Sequence, residues 1–187
     1  SRLMFRGPIR DLEKPFVLFV GGTETYGKFL TKPYPALVED EIGLPCVNFG
    51  CVNAGVDAFL SDPFSLEMAR KAKVVVLQVL GAHNMSNRFY RVHPRRNDRF
   101  LDASAVMKSV FPEIDFTEFH FTRHMLGTLS ARAPDRYVLL REELCQAWVA
   151  RMRLMLNSIP GRKYLLWFSA IAPEADRMKT GLGPDPL

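Results

Sequence analysis

Apolar residues fall along this chain in short unbroken runs, separated by stretches whose apolar positions recur every three or four residues. Residues 16–20 (FVLFV) are continuously apolar and stop at Gly21-Gly22, the length and ending of a buried strand. Residues 35–42 place Leu37, Val38 and Ile42 on one side and Glu39, Asp40 and Glu41 on the other, which predicts a helix stopped by Gly43. A second strand is predicted over 44–49, ending at Gly50. Ser61-Asp62-Pro63 offers an N-cap and an early proline for a helix running to about Lys71. Residues 73–80 form a third run, rich in valine, of the kind that suits a parallel strand covered on both faces.

After Gly81 the pattern gives way to a long polar and basic segment over 82–101. Helices are predicted at 103–111 and 117–129. The clearest helix covers 141–158, where Leu144, Trp148, Met152, Met155 and Ile159 make one apolar stripe ended by Pro160-Gly161. A fourth strand is predicted at 163–169, followed by a tail rich in Pro, Gly and charge. Strands alternating with helices predict a three-layer α/β fold with a mostly parallel sheet, and residues 1–187 are read as one domain. Right-handed crossovers favour the flavodoxin-like strand order 2-1-3-4. Ligands in such sheets bind at the carboxyl ends of the strands where the winding reverses. That directs attention to residues 21–27, 50–55 and 81–84.

Composition narrows the classes. Hydrophobic residues make up 48% and charged residues 24%, enough to build a core. No apolar run approaches the ~20 residues that span a bilayer. No signal peptide is visible, although the chain begins at Ser1 without Met. Cys46, Cys51 and Cys145 lack zinc-like spacing and read as buried reduced thiols, which points to a cytoplasmic setting. His120 and His124 are four apart on an expected helix, but Phe121 stands where a zinc-protease motif has glutamate. They read as polar helix surface, and neither a metal nor a cofactor is expected.

The net charge, 25 basic against 20 acidic residues, is only +5, which makes a nucleic-acid partner unlikely. The basic residues are nonetheless concentrated. Arg88, Arg91, Arg95, Arg96 and Arg99 crowd one segment together with His93, directly after the third strand. Arginine forks bind carboxylate, phosphate or sulfate, so an anion-binding wall and a solvated loop are both open readings.

The first strand–loop unit, Gly22-Thr23-Glu24-Thr25-Tyr26-Gly27-Lys28, has P-loop spacing. Phe29 replaces the Ser or Thr that would hold magnesium, and Pro33 and Pro35 interrupt the helix that should follow. A different likeness fits more of the chain. Gly21-Gly22-Thr23-x-x-x-Gly27 resembles the G-D-S-x-x-x-G block of the SGNH (GDSL-like) hydrolases. Val47-Asn48-Phe49-Gly50 resembles their second block, and Gly81-Ala82-His83-Asn84 their third, over roughly residues 15–90. The chain is also similar to an uncharacterised bacterial family known only as a domain of unknown function.

The SGNH resemblance implies an ester hydrolase or acyl transferase acting on an ester or acylated saccharide. It would make Thr23 the nucleophile, and a backbone N–H of the second loop (Gly55, with Asn53 near the usual glycine position) an oxyanion donor. Asn84, or His83 if the register differs by one, would supply the side-chain donor. Thr23 stands where the family has serine, and Gly22 where it has aspartate. The family's base sits in a late D-x-x-H block; Asp185 could open one, but His124 is the last histidine of the chain. The other reading is a catalytically inactive member that holds an anionic ligand or a protein partner in the same crevice; in either reading Arg88, Arg91, Arg95 and Arg96 are the expected contacts for an anionic group of the substrate or ligand.

Overall fold

A computed structural model describes residues 3–170. Its main sheet has four parallel strands in the order β2-β1-β3-β6, comprising β1 (Val17–Gly21), β2 (Cys46–Gly50), β3 (Val74–Gln78) and β6 (Arg162–Leu166). This is the expected 2-1-3-4 order. Val17 pairs with both Cys46 and Val74, so β1 is central, and Val74 pairs with Arg162.

Helices cover both faces, and the fold is α/β in three layers. One face packs Leu18, Val20, Val75 and Leu77 against α3 (Val56–Leu60), α4 (Pro63–Lys71) and the end of α7 (Pro134–Asn157). The other face sets Val17 and Phe19 against Tyr34 and Val38 of α2 (Tyr34–Ile42). Burial on both sides is why these strands read as unbroken apolar runs rather than alternating ones. Asp62 caps α4, its carboxylate accepting from the Ser65 N–H at 2.8 Å.

Much of the polar and basic segment after the third strand is a β-hairpin. Strand β4 (Tyr90–His93) pairs antiparallel with β5 (Arg96–Ala103). Tyr90, Val92, Asn97, Phe100 and Ala103 point inward while arginines occupy positions between them. The hairpin closes a second core with α5 (Ala105–Val110), α6 (Thr122–Arg132) and α7. The helix expected over 117–129 is divided into a short 3-10 turn, Phe116–Glu118, and α6. His120 therefore precedes the helix, its carbonyl accepting from Phe100 N–H at 3.1 Å, and only His124 lies on it. Helix α7 begins earlier than its apolar stripe indicated, with Pro134 in the first turn, where a missing N–H costs nothing. Trp148 of α7 packs against both cores and donates from Nε1 to the Leu80 carbonyl at 2.7 Å. No helix among the described residues is long and apolar enough to cross a membrane.

Candidate functional site at the carboxyl edge of the sheet

Strand β1 ends in two glycines because its neighbours press close. A Cβ on Gly21 would lie 2.0 Å from Thr25 Oγ1 and 2.5 Å from Gln78 Oε1. The chain then turns into α1 (Thr23–Tyr26), a four-residue helix ended by Gly27 in the left-handed conformation. No long helix continues from this loop, in keeping with its failure as a P-loop.

Gln78, the last residue of β3, ties the two strand ends together. Its Oε1 accepts from the Gly22 N–H at 2.9 Å and the Thr25 hydroxyl at 2.6 Å, and its Nε2 donates to Glu24 Oε2 at 2.7 Å. Gln78 is 5% exposed and Thr25 is fully buried, so this network is the floor of the crevice. Tyr34 joins it, with its hydroxyl 3.0 Å from Thr25 Oγ1. Burial raises the phenol's pKa; the bond to Thr25 works against that shift and the Glu24 charge adds to it.

Above this floor stand Thr23, Asn53 and Asn84, one from the loop after each of β1, β2 and β3. The Asn53 N–H donates to Thr23 Oγ1 at 3.0 Å, and the Thr23 hydroxyl donates to Asn53 Oδ1 at 3.3 Å. Asn53 is left-handed, φ 56°, a conformation that asparagine tolerates better than most side chains. Asn84 Nδ2 donates to the Asn53 carbonyl at 3.2 Å. Both amides are held in a fixed orientation. Asn53 Nδ2 donates to Asp98 Oδ2 at 3.0 Å, which turns Oδ1 toward Thr23. Thr122 Oγ1 donates to Asn84 Oδ1 at 2.9 Å, which turns Nδ2 toward the second loop.

Gly55 lies beside them, but its N–H donates to Asn97 Oδ1 at 2.9 Å rather than into the crevice. Its lack of a side chain is what the site uses: a Cβ there would lie 1.8 Å from the Asn84 carbonyl oxygen. Asn97 is itself fully buried, and its Nδ2 donates to the His93 carbonyl at 3.0 Å. The hairpin thus clamps the second loop in place.

A cavity of about 430 Å³ opens on this cluster, lined by Thr23, Glu24, Asn53, Gln78, His83, Asn84, Arg123, Trp167 and Phe168 among others. Thr23, His83 and Asn84, proposed from sequence, therefore share one crevice. The four basic-segment arginines do not line it. Arg88 Nε donates to Glu143 Oε2 at 2.7 Å, and Arg91 faces Asp102 at 3.4 Å. Arg95 and Arg96 lie at the hairpin turn, where both backbone N–H groups donate to His93 Nδ1 at 3.2 Å.

The guanidinium at the cavity belongs instead to Arg123, on α6. Nothing local in the sequence marks it, because a helix 40 residues away reaches the crevice only through the tertiary fold. Gln78 did leave a signal, as the one polar residue inside an apolar strand run. Among the described residues no group of His, Cys, Asp or Glu is placed to hold a metal. The three cysteines are free thiols, but only Cys46 is buried; Cys51 is half-buried and Cys145 is exposed on α7, against the expectation that all three are buried. Asp185 lies outside the described residues.

Fold and site together define an α/β protein with a polar crevice at the carboxyl edge of a parallel sheet. The chain belongs to the family described as Domain of unknown function (DUF6473), whose model matches residues 1–187. No curated protein and no solved structure matches it.

Proposed function

We propose that this crevice carries out acyl transfer to water or to another acceptor, in the manner of the SGNH hydrolases that the three loops resemble. The supporting observation is the meeting of Thr23 Oγ1, the Asn53 N–H and the Asn84 amide, one from each of three adjacent strand ends. Acyl transfer needs a nucleophile beside donors that stabilise the oxyanion. Asn84 Nδ2 carries two N–H donors, and one goes to the Asn53 carbonyl, leaving the other to meet a developing charge. In the proposed reaction Thr23 Oγ attacks the ester carbon and its proton passes to His83, which lines the same cavity. The alcohol departs with that proton, and water or an acceptor then takes the acyl group from Thr23.

One observation favours a second reading, an inactive member that binds a ligand without turnover. The Thr23 hydroxyl donates to an amide oxygen, Asn53 Oδ1, and an amide is no base. Hydrolysis of p-nitrophenyl acetate by purified wild type, Thr23→Ala, His83→Ala and Asn84→Ala separates the two. The acyl-transfer reading expects turnover that Thr23→Ala and His83→Ala abolish. Asn84→Ala should lower kcat by about 10²–10³, the scale of one lost oxyanion donor. Equal rates in all four proteins would leave the binding reading in possession of the site.

A further inference from the structure

Among the described residues Arg123 is the cation lining the crevice, and no carboxylate among them pairs with it. It lines the cavity beside His83 and Asn84, yet its side chain has no ion pair or hydrogen bond with another described residue. Several other arginines of the fold are committed to carboxylates: Arg88 to Glu143, Arg136 to Glu113 and Arg151 to Asp57. Its position carries an electrostatic cost. The first turn of α6 is the positive end of a helix, and it holds no acidic residue to offset the guanidinium. Among the described residues the one carboxylate lining the cavity is Glu24, and it is held instead by Gln78 Nε2 at 2.7 Å.

Part of the remaining wall is aromatic. Trp167 and Phe168 follow β6 and face the same cavity, with 39% and 55% of their surface exposed. A guanidinium fork, a separate carboxylate acceptor and an aromatic shelf around about 430 Å³ make complementary demands on a ligand. It should carry a carboxylate or phosphate for the fork, hydroxyl donors for Glu24, and an apolar ring face to cover the indole. We infer that the crevice recognises an anionic sugar, a uronate or a sugar phosphate, with Arg123 binding the anionic group. This rests on the crevice being a ligand site. It names the substrate that an acyl-transfer reaction there would use.

The test is direct binding, which does not depend on turnover. Wild type, Arg123→Gln and Trp167→Ala are titrated with glucuronate, glucose 6-phosphate and glucose by calorimetry. Amide shifts are followed in parallel to place the contact at Gln78 and Asn84. Wild type is expected to bind at least one of the two anionic sugars saturably and to prefer it to glucose. Arg123→Gln should weaken that binding roughly 10–100-fold, the scale of a charge-assisted contact, and remove the preference for the anion. The carboxylate and phosphate arms show which anion fits. Arg123 is exposed, so its loss spares the core, and unchanged thermal unfolding verifies this. Equal affinity for glucose and the anionic sugars, binding insensitive to Arg123→Gln, or no saturable binding at all would each overturn the inference. None of these results depends on whether p-nitrophenyl acetate is hydrolysed, so failure of the chemistry and failure of the ligand assignment are separable.

Discussion

At Gly55 one added carbon would meet the Asn84 carbonyl oxygen at 1.8 Å, inside any real contact distance. That oxygen is backbone and cannot swing aside as a flexible side-chain end would. Gly55→Ala must therefore push the second and third loops apart, separating Asn84 from Asn53. The expected loss of stability is at least about 1–3 kcal/mol, the range for overpacking a well-filled site. Urea unfolding measures it, and a midpoint equal to wild type would show that the loops part freely. Gly43 makes a contrast within the same chain: its φ of 64° requires glycine for the turn, but open space surrounds it. The two residues look alike in sequence and serve different needs, one conformational and one steric.

At the scale of elements, the hairpin does by hydrogen bonding what Gly55 does by being small. Asn97, fully buried, joins the Gly55 N–H to the His93 carbonyl. Asn97→Ala leaves that N–H buried without an acceptor, a cost of about 1–3 kcal/mol. Equilibrium unfolding should show this loss, and amide exchange at Gly55 should quicken; neither would change if the hairpin merely lay against the loop. The hairpin was also the element least legible in the sequence. Its strands alternate buried Tyr90, Val92 and Phe100 with arginines, and Pro94 breaks the run, so the eye meets charge before periodicity. The parallel strands were plain because burial on both faces leaves no polar residues to interrupt them. The crevice was half legible. Loops that follow strands mark themselves by glycine and polar residues, and Thr23, His83 and Asn84 were found in that way. Arg123, Asp98, Asn97 and Thr122 reach the site from elements distant in sequence, and no local pattern announces them.

For the whole molecule, Trp148 is the bridge. It packs against the core beneath the sheet and the core beneath the hairpin, and it caps the Leu80 carbonyl just before the third loop. Two cores joined through such a side chain should unfold together. Trp148 is half-buried, so Trp148→Ala is expected to cost less than the ~3–5 kcal/mol of a fully buried aromatic, about 2–3 kcal/mol. It should also split a single transition in two, so that far-UV circular dichroism and amide exchange in the hairpin no longer coincide. A single shared midpoint in the variant would show that other contacts couple the cores.

The pairing of β3 with β6 sets an order on the making of this protein. Val74 finds β1 early, since residues near the start leave the ribosome first, but its other neighbour is Arg162, at the far side of the hairpin and three helices. Such distant partners raise the contact order and slow the closing step. Until β6 arrives, one edge of β3 has no partner from its own chain and can accept a stray strand. The aromatic wall of the crevice, Trp167 and Phe168, comes with β6. The floor and the donor cluster can be in place while that wall is still being synthesised, so the crevice takes its full shape only once β6 has been made and has found its place beside β3.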